Sequence, residues 1–142
     1  RAGAAAARAL PRDFFFVARA DGIMNNVYDL DEALARLRGF DAAGADGLYV
    51  PLPASMDDLA RICAATSKPV NALAAGVYAK VSLAEFAAAG VARVSLGSAL
   101  ARATHRVIFD AARDMLEKGD FSALTRSISG TEIEALLEKG AP

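Results

Sequence analysis

Short apolar runs, each stopped by glycine, proline or a charged pair and separated by capped helical segments, constrain this chain more than any other feature. Phe14 to Ala18 is the first such run and ends in Arg19, Ala20, Asp21 and Gly22, which reads as a buried strand delivering polar groups at its C-terminal end. Gly47 to Val50, Val70 to Leu73 and Val91 to Leu96 give three more. Between them lie helix signals. Asp29 with Glu32 has N-capping spacing ahead of Leu30, Leu34, Leu37 and Phe40, and Gly44 closes that helix. Ser55 with Asp58 opens a second, on which Leu59, Ile62, Cys63 and Thr66 share a face. Ser82 with Glu85 opens a third, closed by Gly90.

The unit also repeats. Phe40, Ala42, Ala43 and Gly44, followed by Leu48 and Val50, are echoed by Phe86, Ala88, Ala89 and Gly90, followed by Val94 and Leu96. Strands separated by helices predict a parallel sheet, because each strand must return by a helical crossover. Two α/β architectures fit this pattern: a small doubly wound sheet, or half of a (β/α)8 barrel. A complete barrel needs at least about 200 residues, and this chain has 142.

Flanking segments are helical. An alanine-rich helix runs from Arg1 to Leu10 and stops before Pro11. The longest amphipathic helix spans Ser98 to about Lys118, with Leu100, Thr104, Val107, Ile108, Ala111 and Met115 on one side. A short helix over Phe121 to Arg126 and another after the Thr131 and Glu134 pair follow. The expected division is a barrel-type unit over residues 1–118 and a helical tail over 119–142 that packs on a neighbouring subunit. A first residue that is arginine, inside a helical run, reads as part of a longer chain.

Composition removes several classes. With 54% hydrophobic and 23% charged residues the chain is a globule and not a disordered tail. A formal charge of -1 with scattered lysines and arginines gives no basic stripe, so no nucleic-acid partner is expected. No apolar stretch reaches the roughly 18 residues of a membrane span, so no membrane partner is expected. A single cysteine, Cys63, excludes an intrachain disulfide and suits the cytoplasm.

In either architecture functional groups collect beyond the C-terminal ends of strands. That rule selects Arg19 and Asp21, the Pro51 and Pro53 loop, Asn71 with the segment to Tyr78, and Ser95 to Ser98. Arg19 stands out, because a guanidinium placed after five apolar residues wants an anion, from Asp21 or from a ligand. Ser98 reads as a helix cap, Asn25 and Asn26 as turn formers, and Cys63 as core packing. His105, the sole histidine, lies on the long helix away from any strand end, so no nucleophile and base pair is formed. No dinucleotide or nucleoside-triphosphate fingerprint is present, and no carboxylate cluster has metal-ligand spacing.

From Ala18-Arg19-Ala20-Asp21 through Gly44-Ala45-Asp46-Gly47, Pro69-Val70 and Gly90-Val91-Ala92-Arg93-Val94-Ser95-Leu96, the chain resembles the isocitrate lyase/phosphoenolpyruvate mutase superfamily. The order and spacing of these pieces carry the resemblance from about Phe14 to Arg102, and it implies a TIM-barrel fold of which strands five to eight are present. It further implies a magnesium-dependent lyase or mutase that makes or breaks a carbon-carbon or carbon-phosphorus bond in a small 2-oxo or 2-hydroxy carboxylic acid. Arg19 matches the family arginine that contacts the anionic end of the substrate, and Asp21 the aspartate beside it. Asn71 is the third substrate-binding candidate, two positions before an asparagine that some members carry. Ala20 stands where threonine is usual, and Pro51 where several members place glutamate or histidine. The resemblance also implies Mg2+ held by ligands outside this chain, and a homo-oligomer. The alternative is a non-catalytic truncated barrel that acts only in assembly.

Overall fold

A computed structural model of the chain describes residues 1–140. The tail assigned to 119–142 therefore ends two residues outside the described part. Six α-helices and four strands alternate: α1 Ala2–Arg8, β1 Val17–Arg19, α2 Leu30–Ala42, β2 Gly47–Tyr49, α3 Met56–Ala64, β3 Val70–Leu73, α4 Leu83–Ala88, β4 Arg93–Ser95, α5 Ala99–Lys118 and α6 Gly130–Gly140. Two short 3-10 turns lie at Gly76–Lys80 and Ser122–Arg126. No helix among the described residues is long and apolar enough to cross a membrane.

The strands form one sheet in the order β1-β2-β3-β4, every pair parallel. Local signals place the helices that link them. Asp29 accepts the Glu32 amide, Ser55 accepts the Asp58 amide, and Ser82 and Glu85 form a reciprocal capping box. Gly44 and Gly90 follow α2 and α4 at φ of 95° and 88°, a left-handed conformation that lets the chain turn directly into β2 and β4. The repeat in the sequence is thus one helix-glycine-strand unit used twice.

Alternation along the strands divides the sheet into two faces. Ala18, Ala20, Leu48, Val50 and Val70 pack beneath α2 and α3 with Ala33, Leu34, Leu37 and Ile62. Ala72 and Val94 continue the layer beneath Leu59, Tyr78 and Phe86. The opposite face bears Val17, Arg19, Gly47, Tyr49, Asn71, Arg93 and Ser95, in register across the four strands. Strands β1 and β4 each have one hydrogen-bonded neighbour among the described residues.

Three expectations need correction. The first strand is Val17–Arg19 and not Phe14 to Ala18, and Phe15 is 62% exposed. Asp46 marks the boundary: its carboxylate accepts the Phe16 amide at 2.8 Å and pairs with Arg8, while the Phe16 carbonyl accepts the Asp46 and Gly47 amides, so Phe16 meets the start of β2 and the regular ladder begins only at Val17. The last strand is Arg93–Ser95, narrower than Val91 to Leu96. The final helix is capped by Ser129 and Glu132 and not by Thr131 and Glu134: Ser129 accepts the Glu132 amide, and its own N–H and hydroxyl donate to the Glu132 carboxylate.

Contacts divide the chain into two compact units, Arg1–Ala99 and Leu100–Pro142. The first holds the sheet and both apolar clusters. In the second, Leu100, Val107, Ile108, Leu136 and Leu137 are all exposed, and Ala111 is buried on α5. The apolar side of α5 expected from its periodicity therefore exists and is largely uncovered.

Candidate functional site at the strand ends

Register brings Arg19, Tyr49, Asn71 and Arg93 into one row across the open face. Arg19 is the last residue of β1, and its guanidinium lies 4.8 Å from the centroid of the Tyr49 ring. Asp21 accepts from Arg19 Nε at 3.1 Å and from Nη2 at 2.8 Å, both on Oδ1. This uses one edge of the guanidinium. Three of its five N–H donors, the Nη1 pair and the second on Nη2, stay available on a side chain that is 48% exposed. An arginine held by a carboxylate on one edge and an aromatic face beneath is fixed in orientation and still able to grip an oxyanion.

The other half of the row is a closed hydrogen-bond line. Asn71, 4% exposed, receives Arg93 Nη1 on Oδ1 at 3.1 Å. Its Nδ2 donates to Ser95 Oγ at 2.9 Å and to the Ala72 carbonyl at 3.1 Å, and the Ser95 hydroxyl donates to the same carbonyl. Both N–H groups of Asn71 are thus committed inside the protein. The structure brings Arg19 and Asp21 into contact and places Asn71 two strands away in the same row.

Tyr49 and Arg93 were missed in the sequence. Their signal is the period of two: Tyr49 alternates with core residues Leu48 and Val50, and Arg93 with Val94. Beneath the row, the open face forms a hollow of about 280 Å³ lined by Phe15, Val17, Gly47, Pro69, Asn71 and Arg93. Gly47 leaves room there: a Cβ would lie 2.7 Å from the ring of the exposed Phe15, which would have to move aside, and 3.3 Å from the Pro69 carbonyl.

The loop after β2 is held from below. Leu52, between Pro51 and Pro53, has φ of 52°, a conformation disfavoured for a side chain of this size. The Tyr78 hydroxyl lies 2.8 Å from each of the Pro53 and Ser55 carbonyls and anchors that loop. Burial pushes the Tyr78 phenol up from its ordinary range, and the Asp58 charge adds to this, so it remains a donor. Burial likewise pushes the Cys63 thiol up, in keeping with a packing role beside Gly90.

Among the described residues no three histidine, cysteine, aspartate or glutamate side chains converge on one point. Asp21, two residues beyond β1, is the carboxylate that meets the row, and it is already engaged by Arg19. The residues present therefore do not fit a Mg2+ centre by themselves.

A parallel sheet of strand-helix units with polar side chains gathered at the strand ends is the arrangement of barrel-type α/β folds. The phosphoenolpyruvate phosphomutase family model matches residues 1–116, and the chain belongs to that family, within the phosphoenolpyruvate mutase/isocitrate lyase superfamily. It is similar to a crystal structure from Burkholderia cenocepacia provisionally described as a lyase/mutase, with 38% identity and a TM-score of 0.88 over 98% of this chain and 49% of that one. It is also similar to a phosphoenolpyruvate phosphomutase from Streptomyces platensis subsp. rosaceus, with 28% identity and a TM-score of 0.72 over 95% of this chain and 48% of that one. An uncharacterised protein of Mycobacterium tuberculosis is 34% identical over 77% of this chain and 40% of its own length. The chain thus spans less than half the length of each.

Proposed function

We propose that this chain is the half of a (β/α)8 lyase or mutase comprising strands five to eight, and that it binds a small 2-oxo or 2-hydroxy carboxylic acid at the row on its open face. The observation that carries this reading is the free edge of Arg19. Asp21 and Tyr49 fix the guanidinium, and its remaining N–H groups take the substrate carboxylate. Asn71 keeps Ser95 and Arg93 in line and has one acceptor position on Oδ1 for a substrate hydroxyl. When the bond next to the carboxylate breaks, negative charge grows on the substrate oxygens, and a fixed cation stabilises it without reorganising. Arg19 acts as a fixed cation and moves no proton. In this reading the Mg2+ takes its ligands from side chains outside the 142 residues.

Oxalate titrated calorimetrically into the intact protein tests the reading. Arg19→Ala should weaken binding by about 2 to 5 kcal/mol, the cost of a lost charge-assisted pair. Unchanged affinity would remove Arg19 from the site. The second reading, a non-catalytic half-barrel acting in assembly, is favoured by the unpaired edges of β1 and β4 and by exposed Ile133, Leu136 and Leu137 on α6. Under that reading the intact protein is a homo-oligomer that binds no oxalate.

A further inference from the structure

We infer that the Tyr49 hydroxyl is a second anchor for the oxyanion held by Arg19, an inference that rests on the proposed carboxylate site. Tyr49 is 7% exposed, yet it belongs to neither apolar cluster. Its neighbours in sequence, Leu48 and Val50, lie in the helix-covered core, so its ring lies on the opposite face, between Arg19 and Asn71 in the row. A buried tyrosine ordinarily gives its O–H a partner. Here the phenol oxygen makes no hydrogen bond with the described residues, and no sealed side-chain oxygen or nitrogen lacks one, so the hydroxyl is the part of Tyr49 that remains open.

The guanidinium over the ring decides what that hydroxyl meets. Arg19 and Tyr49 are register partners, and the cation lies against the ring whose para position bears the hydroxyl. With the guanidinium carbon 4.8 Å from the ring centroid, an oxyanion on the free edge of Arg19 is within reach of the hydroxyl on the same ring. A phenylalanine would supply the same floor beneath the cation and no donor. Tyr49 acts as a binding residue: its proton stays on oxygen and no bond is made or broken.

The test uses Tyr49→Phe and Arg19→Ala in the intact protein, with oxalate as the probe and tyrosine labelled with carbon-13 at Cζ. Tyr49→Phe keeps the ring and the melting temperature, and should weaken oxalate about ten- to a hundredfold, as expected for a hydrogen bond to a charged group. In the parent protein the Tyr49 Cζ resonance should move on saturation with oxalate, which a tyrosine serving only as packing would not do. If Arg19→Ala weakens oxalate while Tyr49→Phe binds it normally and the resonance stays still, this inference is overturned and the carboxylate site stands. If Arg19→Ala leaves affinity unchanged, the site reading falls and this inference falls with it. A parent protein that does not bind oxalate overturns both.

Discussion

The two faces of the sheet are made from alternate residues of the same four strands and differ in almost every chemical respect. Beneath the helices stand Ala18, Leu48, Val50, Val70, Ala72 and Val94, closed over by α2, α3 and α4. One residue along each strand, the other face carries two guanidiniums, an amide, a phenol and a hydroxyl. The first face stabilises the fold by removing apolar surface from water. The second holds polar groups that satisfy one another in part and leave the edge of Arg19 and the hydroxyl of Tyr49 unused. Stability and the proposed binding are thus assigned to faces one residue apart along each strand.

Substitutions on each face can break that separation. The largest effect is expected at Leu37, which is fully buried under the helix-covered face: Leu37→Ala should lower the unfolding free energy by about 2 to 5 kcal/mol in urea titrations. Gly47→Ala, on the open face, pushes the exposed Phe15 ring aside and crowds the Pro69 carbonyl, and should cost about 1 kcal/mol by the same measurement. A larger loss at Gly47 than at Leu37 would mean that the open face also bears the fold. Arg19→Ala should change unfolding by less than about 1 kcal/mol, because its pair with Asp21 is half exposed, while oxalate affinity collapses. A stability loss as large as that at Leu37 would contradict the division.

The smallest effect concerns pH. The Phe16 amide and then Arg8 hold Asp46 below its ordinary value of 3.8. The folded carboxylate then protonates at lower pH than the unfolded one, so its contribution is present above about pH 4 and is lost as pH falls through the folded value. Asp46→Asn should remove that part of the acid limb, with the two stability curves converging at low pH. Curves that stay parallel would show that Asp46 does not tie the N-terminal segment to β1.

Much of the helix pattern was legible because its determinants lie three residues apart. Asp29, Ser55 and Ser82 cap the helices that their spacing announced, and Gly44 and Gly90 close two of them. The same rule failed at the last helix for a simple reason. Ser129 with Glu132 and Thr131 with Glu134 fit one pattern, and the structure uses the earlier pair. At the other end, Phe14 to Phe16 are apolar enough to resemble a strand, but Asp46, thirty residues on, claims the Phe16 amide. In the site, Arg19 and Asp21 were visible as charge following an apolar run. Tyr49 was hidden inside such a run, and Arg93 beside a glycine turn.

What the sequence determined by itself was the alternation of strands and helices, most of the helix caps, and the family, because each is written in neighbouring residues or in the order of short motifs. Tertiary structure alone decided that Arg19, Tyr49, Asn71 and Arg93 form one row. Parallel strands align through hydrogen bonds between segments more than twenty residues apart, so their register, and with it the partners of each side chain, exists only once the sheet has closed.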